Sequence, residues 1–289
     1  MDRRVHGIGL GLRWPLMEDL LERPPAELGW LEIAPENYMR RGGRFREALD
    51  RCSARWPVVT HGLALSLGGF DPIDAGYLRD LREVVARTES PWHSDHLCFA
   101  VVDGLATHDL LPIPLNRAVA HHVADRIKRA QDAIGVPLAV ENISAYAVAP
   151  GSTMPEEEFI TEVVTRADCQ LLLDVNNAYV NSKNHGFDAR AMIRALPLER
   201  VCQIHVAGHE ITERGRIDTH AEDICEDVYE LLEWTLVRTG PKPVLLERDD
   251  NFPEWEHLCG ELRRLDAIAT RAARRHAASQ AVPALEARP

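Results

Sequence analysis

The chain has 289 residues and a formal net charge of −12 at pH 7 with histidine counted as neutral. This length is sufficient for one large barrel or two smaller domains, and an apolar content of 45% is typical of a globular protein. The acidic balance does not favour binding to nucleic-acid phosphates, and no apolar run reaches the roughly 18 residues that cross a membrane. The N-terminus lacks the features of a secretory signal peptide, so we expect a cytoplasmic protein.

Short apolar runs alternate with helical patterns along the whole chain. The first half is predicted to contain a strand at 5–12, a helix at 15–22, a strand at 29–34, a helix at 44–56, a strand at 57–61, a helix at 74–87, a strand at 91–99 and a helix at 115–134. The second half is predicted to contain strands at 137–142, 169–175, 200–206 and 242–247, each followed by a helix, at 155–166, 189–196, 223–237 and 253–277. Asp103-Gly104 between two apolar pairs predicts an inserted hairpin after the fourth strand.

This alternation predicts an α/β fold, a (β/α)8 TIM barrel in which residues 1–278 form a single metal-binding domain. The segment 279–289, rich in Ala and Pro, is predicted to be a flexible C-terminal tail. A doubly wound open sheet is the alternative, but that fold usually carries a phosphate-binding glycine loop. Gly7, Gly9 and Gly11 have the wrong spacing for such a loop, and we interpret them as positions of close packing beside the site.

A polar residue that could bind a metal ends seven of the apolar runs. These residues are Glu32, His61, His96, Glu141, Asp174, His205 and Glu247. The carboxyl ends of the strands form the active face of a TIM barrel, so we expect one polar ring at one mouth. Buried carboxylates held together without a cation would have steeply raised pKa values. The pattern therefore predicts a site for several metal ions, with structural salt bridging as the alternative.

Loop residues extend the set of candidate ligands. Asp218 and His220 form a compact pair, either Asn176 or Asn177 could supply an amide oxygen, and His185 is either a ligand or a substrate contact. The six cysteines are scattered singly, so a zinc–thiolate site is not expected and the thiols are interpreted as core residues. Oxygen and nitrogen donors without thiolate suit iron, manganese or zinc.

Several motifs resemble those of the DUF692 (UPF0276) family, the multinuclear non-haem iron-dependent oxidases. They are Gly9–Arg13, Glu32–Tyr38, His61–Gly69, Ser94–Leu97, Glu141–Asn142, Leu173–Ser182, His205–His209, Asp218–His220 and Leu246–Asp249. The resemblance runs from about residue 5 to residue 265. It implies a xylose-isomerase-like barrel with two or three irons (Fe2+/Fe3+) per chain. It also implies O2-dependent oxidation of cysteine residues in a ribosomally synthesised precursor peptide, with a partner protein that binds the leader of the precursor.

The resemblance also implies roles for individual residues. Carried over by position, one iron would take His61, His96 and Glu141, a second would share Glu141 and take Asp174, His205 and Glu247, and a third would take Asn176, Asp218 and His220. The same comparison gives Asp218, His220 and His209 as catalytic candidates, and Arg13, Glu36, Asn37, His185 and Arg248 as substrate candidates. For the outer residues, a structural ion pair or turn is an equal alternative.

Two other classes of function fit a ring of His, Glu and Asp. One is a divalent-metal hydrolase or isomerase of the endonuclease IV or xylose isomerase type, in which a metal-bound hydroxide attacks the substrate. The absence of overall basic charge argues against a DNA substrate for such an enzyme. The other is a non-catalytic metal-binding protein or peptide chaperone, which would need no open coordination position. Metal analysis with anaerobic Fe(II) reconstitution distinguishes these classes.

Overall fold

The protein is described here by a computed structural model that covers residues 4–281. Its barrel strands are β1 (Ile8–Gly11), β2 (Leu28–Ile33), β3 (Val58–His61), β4 (His93–His96), β7 (Leu138–Glu141), β8 (Gln170–Asp174), β9 (Val201–Ala207) and β12 (Val244–Glu247). Two hairpins stand outside the barrel, β5 (Phe99–Val102) with β6 (Leu105–Leu111) and β10 (Glu210–Thr212) with β11 (Gly215–Ile217). The eight barrel strands are parallel, and β12 pairs with β1 to close the ring. The predicted TIM barrel is therefore confirmed, and the open sheet is excluded.

Helices surround the barrel. They are α1 (Met17–Glu22), α2 (Arg44–Ser53), α3 (Ala75–Thr88), α4 (Arg117–Ile134), α5 (Glu156–Ala167), α6 (Val175–His185), α7 (Ala189–Ala195), α8 (Glu226–Thr239) and α9 (Trp255–Ala281). Short 3-10 turns lie at Trp14–Leu16, Pro35–Asn37 and Leu198–Arg200. Side chains of Asp74, Asn116, Asp174 and Asp188 accept hydrogen bonds from backbone N–H groups at the starts of α3, α4, α6 and α7. None of the helices in residues 4–281 is long and apolar enough to cross a membrane.

Alternation along the strands creates two separate apolar layers. Leu31 and Leu246 belong to the large cluster that packs the outside of the barrel against the helices. Trp30 and Leu245 directly precede Leu31 and Leu246 and therefore point the other way. With Val59 of β3 they form a second cluster inside the barrel. The inward-facing positions therefore fill the lower barrel with apolar side chains. The next inward-facing position along each strand lies at the mouth.

Most predicted elements are present, but three expectations need correction. The segment after Asp174, expected to be a loop, is the helix α6, and the hairpin β10–β11 was not expected at all. Helix α9 continues to Ala281, so residues 279–281 are helical where a flexible tail was expected. Residues 282–289 of that predicted tail lie outside the described residues. The hairpin predicted at Asp103-Gly104 is confirmed, with Val102 opposite Leu105.

Candidate metal centre

Strand periodicity explains why the polar ring faces inward. Glu32 lies two residues after Trp30, His61 two after Val59, and Glu247 two after Leu245. Residues two apart share a face of a strand, so these polar side chains follow the apolar interior upward to the mouth. His96, Glu141 and Asp174 are the last residues of β4, β7 and β8, His205 lies two residues before the end of β9, and all four are buried.

Glu141 is the centre of the first group of side chains. Its Oε2 lies 3.2 Å from both His61 Nε2 and His96 Nε2. Its other oxygen, Oε1, lies 3.4 Å from His205 Nδ1. One carboxylate therefore contacts histidines on either side of its own strand. Glu141, Asp174 and His205 also place one donor atom each within 4.8 Å of one another.

Glu32 completes a second group of side chains. The sequence analysis counts it among the seven candidates of the polar ring, but it is absent from the ligands that the resemblance implies. Its Oε2 lies 3.1 Å from His205 Nε2 and accepts a hydrogen bond from Gln203. Glu32, His61, His205 and Glu247 together offer donor atoms within 4.8 Å of one another.

Glu247 lies between His205 and a more exposed pair of side chains. Its Oε2 lies 3.2 Å from His205 Nδ1, and its Oε1 lies 3.6 Å from His220 Nδ1 and 3.5 Å from an Arg13 nitrogen. Asp249 contacts both outer groups, at 3.0 Å from His220 Nδ1 and 2.5 Å from Arg13 Nε. Glu247 therefore joins Asp174 and His220 in one group, while Glu141 joins Asp174 and His205 in another.

Asp218, His220 and Asn176 meet at one carboxylate oxygen. Asp218 Oδ1 lies 2.9 Å from His220 Nε2 and accepts a hydrogen bond of 2.8 Å from Asn176 Nδ2. The Asn176 oxygen accepts a hydrogen bond of 2.8 Å from His209 Nδ1. His209 thus reaches this group through Asn176. Ser144 donates to the other Asp218 oxygen at 3.2 Å.

Helix α6 decides which asparagine faces the group. Asp174 caps the helix by accepting the Asn177 N–H at 2.6 Å. The Asn177 amide donates to the Asn142 carbonyl at 3.0 Å, whereas Asn176 contacts Asp218. Adjacent helical residues point about 100° apart, which explains why the two amides go to different partners. The sequence left open whether Asn176 or Asn177 faces the site. In the structure, Asn176 is the one that contacts Asp218.

Burial and mutual contact shift the pKa values of these side chains in opposite directions. Burial, reinforced by Glu141 and Asp218, raises the pKa of Asp174 well above its usual range. Burial, with His96 and His205 nearby, lowers the pKa of His61. For His205, burial lowers the pKa, but the carboxylates of Glu32, Glu247 and Glu141 outweigh it and raise the pKa well above 6.5. In the absence of a cation, protons on part of the cluster would have to neutralise the rest.

The donor set fits metal ions. Glu32 Oε1, Glu141 Oε2, Asp174 Oδ2, His205 Nδ1 and His220 Nε2 are buried and have no hydrogen-bond partner within residues 4–281. Leaving such an atom unsatisfied costs about 1–3 kcal/mol, so five in one cluster would be a large cost unless cations bind there. Carboxylate oxygens and imidazole nitrogens suit first-row metal ions.

The predicted substrate residues lie in different environments. Arg13 contacts Glu247 directly, and Asn37 is exposed in the turn after β2. Glu36 accepts hydrogen bonds from the Leu63 N–H at 2.9 Å and the Tyr77 hydroxyl at 2.6 Å, so it braces the loop after β3. Arg248 is buried and binds Asp223 at 2.6 Å together with the Ala221 carbonyl, so it holds the loop that carries His220.

His185 lines a largely apolar cavity beside the cluster of histidine and carboxylate side chains. Its Nε2 lies 2.6 Å from the Ala145 carbonyl oxygen. The cavity has a volume of about 210 Å³, and its walls include Leu97, which follows His96, and Ile143, which lies two residues after Glu141. Glu156 is a carboxylate in this lining, which is mostly apolar but also includes Ser152 and Asn181. The cavity is large enough for one amino-acid side chain of a bound peptide.

The cysteines are separate from the cluster. All six are free thiols; Cys52, Cys98, Cys169 and Cys259 are buried, and Cys202 and Cys225 are half-buried. Burial raises the pKa of Cys52 to about 11, which keeps it protonated at neutral pH. The groups of potential ligands in the described part of the chain contain no cysteine. This agrees with the expectation that the thiols are core residues.

Comparison with known proteins shows the family. Residues 7–270 match the family described as RiPP precursor modification enzyme MbnB/TglH/ChrH, where RiPP denotes a ribosomally synthesised and post-translationally modified peptide. The chain belongs to this family. A UPF0276 protein of Acinetobacter baylyi is 44% identical over 269 residues, which are 93% of each chain. The resemblance seen in the motifs is therefore confirmed, and family and fold indicate an enzyme.

Solved structures confirm the class of barrel. A xylose isomerase domain protein from Alicyclobacillus acidocaldarius superimposes with a TM-score of 0.58 at 16% identity, covering 91% of this chain and 99% of that one. Endonuclease IV from Thermus thermophilus gives a TM-score of 0.57 at 16% identity, covering 92% and 99%. Sequence identities this low show a shared fold, and the chemistry has to be argued from the site.

Proposed function

We propose that this enzyme is a multinuclear iron-dependent oxidase that modifies cysteine residues of a ribosomally synthesised precursor peptide with O2. The observation that supports it best is the buried ring of carboxylates and imidazoles, with unsatisfied donor atoms, in a chain of a precursor-modifying family. The proposed ligands are His61, His96, Glu141, Asp174, Asn176, His205, Asp218, His220 and Glu247. We add Glu32 because it shares a close group with His61, His205 and Glu247.

Bound iron, two or three ions per chain, would supply a site for the substrate thiolate and for O2 as the oxidant. The protein would supply the geometry. Glu141 would hold iron through both carboxylate oxygens, since Oε2 faces His61 and Oε1 faces His205. The apolar lower barrel formed by Trp30, Val59 and Leu245 would exclude water from below the cluster.

The outer residues would bind the peptide and orient the ligands. His220 contacts Asp218 through Nε2 and Asp249 through Nδ1. In the absence of a cation, Glu247 and Asp218 outweigh burial and raise the pKa of His220. With iron bound, the Asp249 contact would fix the orientation of the imidazole, because a ligating histidine is neutral. The cavity beside His185 would take a side chain next to the modified cysteine. We further propose that a separate protein presents the leader, and that the reaction occurs in the cytoplasm where the precursor is synthesised.

Mass spectrometry of a candidate precursor tests this function. The enzyme is loaded anaerobically with Fe(II) and incubated with a Cys-containing precursor encoded beside its gene, with and without O2. We expect a mass change located at cysteine that requires both iron and O2. An unmodified peptide with fully iron-loaded enzyme and O2 counts against that peptide as substrate. Zinc-dependent phosphodiester cleavage by the same preparation would overturn the oxidase proposal.

Variants of the outer pair test the catalytic assignment. Asp218→Ala and His220→Ala each remove one side of the contact that reaches Asn176, so we expect turnover to fall at least about 100-fold, the range for losing an acid–base group. His121→Ala is the matched control because His121 pairs with Glu162 on the helical exterior. Wild-type turnover in Asp218→Ala would show that this residue has no catalytic role. Circular dichroism checks that all three variants fold.

A further inference from the structure

A local basic patch stands out against the acidic chain. Arg40, Arg41, Arg44 and Arg46 fall within seven residues, whereas the whole chain has a net charge of −12. All four side chains are exposed. The negative charge of the whole chain argues against an anionic partner. This short segment, by contrast, is positively charged and favours one.

Two aromatic rings hold Arg41 and Arg44 in place. Trp14 and Phe45 lie against each other with ring centroids 4.8 Å apart. The Arg44 guanidinium lies 5.1 Å from the Trp14 ring centroid, and the Arg41 guanidinium lies 4.8 Å from that of Phe45. Stacking orients a guanidinium while its N–H edge stays available to an oxygen acceptor.

Three of the four arginines are not paired with a carboxylate of the described residues. Arg40 pairs with Asp80, but Arg41, Arg44 and Arg46 form no ion pair within the described part of the chain. On helix α9, by contrast, Arg263 and Arg271 pair with Glu256 and Glu233. The patch residues Arg41, Arg44 and Arg46 thus retain the hydrogen-bonding capacity that Arg263 and Arg271 have already used.

Helix formation does not explain the patch either. Arg44 and Arg46 are the first and third residues of α2, and Glu47 is the acidic residue of that turn. Positive side chains at a helix N-terminus oppose the helix dipole and destabilise the helix. Their presence therefore calls for a reason outside the stability of α2.

The patch adjoins the barrel mouth. Trp14 directly follows Arg13, whose guanidinium lies 3.5 Å from Glu247 Oε1. The segment 40–46 follows β2, at the same carboxyl end of the barrel, and it borders a surface depression of about 800 Å³. A chain lying on the patch can therefore continue into the mouth without crossing the body of the protein.

We propose that the patch formed by Trp14, Arg41, Arg44, Phe45 and Arg46 docks an acidic segment of the peptide whose cysteine enters the barrel mouth. Carboxylates of that segment bind the guanidinium edges, and the two aromatic side chains contact its apolar groups. Naming this peptide as the substrate rests on the proposed function. The docking itself is measured without any turnover, so either proposal can fail while the other stands.

Fluorescence anisotropy with a labelled peptide of alternating glutamate and glycine tests the docking. The ligands are this peptide, its glutamine counterpart, and a single-stranded RNA with the same number of negative charges. We expect the wild-type protein to bind the glutamate peptide and to lose affinity as salt increases. The triple variant Arg41→Ala, Arg44→Ala, Arg46→Ala should bind about tenfold more weakly, since three exposed charge pairs at roughly 0.5 kcal/mol each amount to about that factor.

Two further variants separate the patch from general charge. Arg263→Ala, Arg271→Ala, Arg274→Ala removes three charges from α9 and should leave affinity unchanged. Replacing the three patch arginines by lysine keeps the charge but weakens the stacked, planar geometry, so affinity should be intermediate. Equal losses in the two alanine variants, or no binding of the glutamate peptide at low salt, overturn the proposal. Tighter binding of the RNA than of the peptide overturns it in favour of a nucleic-acid partner.

Discussion

Glu141 is the residue on which the proposed metal centre depends most. It contacts His61 and His96 through one oxygen and His205 through the other. We predict that Glu141→Ala loses more than one metal ion per chain, because a bridging carboxylate serves two ions at once. Plasma mass spectrometry of the purified protein gives the metal content.

Glu36→Gln is the matched control for this measurement. Glu36 is a largely buried carboxylate near the same mouth, but it binds the Leu63 N–H and the Tyr77 hydroxyl. Its variant should therefore keep the wild-type metal content. Full metal content in Glu141→Ala would show that the carboxylate is not a bridge.

Glu156 gives a prediction about pH. Burial in the apolar cavity, reinforced by Glu157, raises the pKa of Glu156 from 4.5 to about 7. A raised carboxyl pKa means that the folded state holds the proton more tightly. Its contribution to stability is complete below pH 4.5 and is lost as the pH rises through about 7.

Glu156→Gln removes this titration. Between pH 4.5 and 8 the variant should gain about 1–2 kcal/mol in free energy of unfolding relative to wild type, roughly half the full linkage value because the side chain is partly exposed. Urea unfolding at the two pH values measures the difference. Glu158→Gln, an exposed neighbour, should show no such gain, and a pH-independent difference for Glu156→Gln would contradict the assigned pKa.

At the scale of elements, strand periodicity carried most of the information in the sequence. The runs ending in His61, Glu141 and Glu247 are short and apolar, so both the strands and their inward polar ends could be predicted. Glu32 ends β2 in the same way, yet the resemblance to known motifs did not include it among the ligands. Its closeness to His205 depends on which strands meet across the barrel, and that follows from the closed ring rather than from local pattern.

Helix α6 could not be predicted because its residues favour other structures. Asn176, Asn177, Asn181 and Asn184 are weak helix formers, and the segment resembles a polar loop. The helix is stabilised by tertiary contacts instead. Asn181, for example, donates to the Ile143 carbonyl at 2.9 Å and accepts the Ala145 N–H at 2.8 Å. Asn181 thereby fixes the loop after β7, and together with His185 it brings helix α6 into the wall of the cavity.

Strand β1 shows how the lower barrel constrains the mouth. A Cβ atom on Gly9 would lie 2.3 Å from the Trp30 ring, which is fully buried inside the barrel. We predict that Gly9→Ala lowers the free energy of unfolding by about 1–3 kcal/mol, the usual cost of overpacking. Chemical denaturation measures the effect.

Gly42→Ala serves as its control. A Cβ on Gly42 would meet no described heavy atom within 4 Å, so its stability should be close to wild type. Because Trp30 and Glu32 lie two residues apart on one strand, displacement of the Trp30 ring should also reduce metal content in Gly9→Ala. An unchanged unfolding midpoint in that variant would show that the lower barrel accommodates the extra methyl group.

At the scale of the whole molecule, the cluster and the closed barrel depend on each other. Glu32, Glu141, Asp174 and Glu247 come from strands distributed around the ring, and β12 must pair with β1 for them to converge. At neutral pH these four buried carboxylates must repel one another or take up protons, an electrostatic cost that bound cations would offset. We therefore predict that removal of metal by a chelator lowers the melting temperature of the entire barrel.

The size of that effect follows from linkage. An ion present at about 100 times its Kd adds about 2.7 kcal/mol to the free energy of unfolding. For a protein of this size, 1 kcal/mol shifts Tm by about 2–4 °C, so each ion should contribute on the order of 5–10 °C. Calorimetry before and after chelation, and after anaerobic return of Fe(II), measures the shift. Glu141→Ala should respond to the chelator much less than wild type, because it has fewer ions to lose. Equal Tm values for metal-loaded and stripped wild-type protein would mean that bound ions do not hold the strand ends together. In that case protons on its own histidines and carboxylates would have to stabilise the cluster.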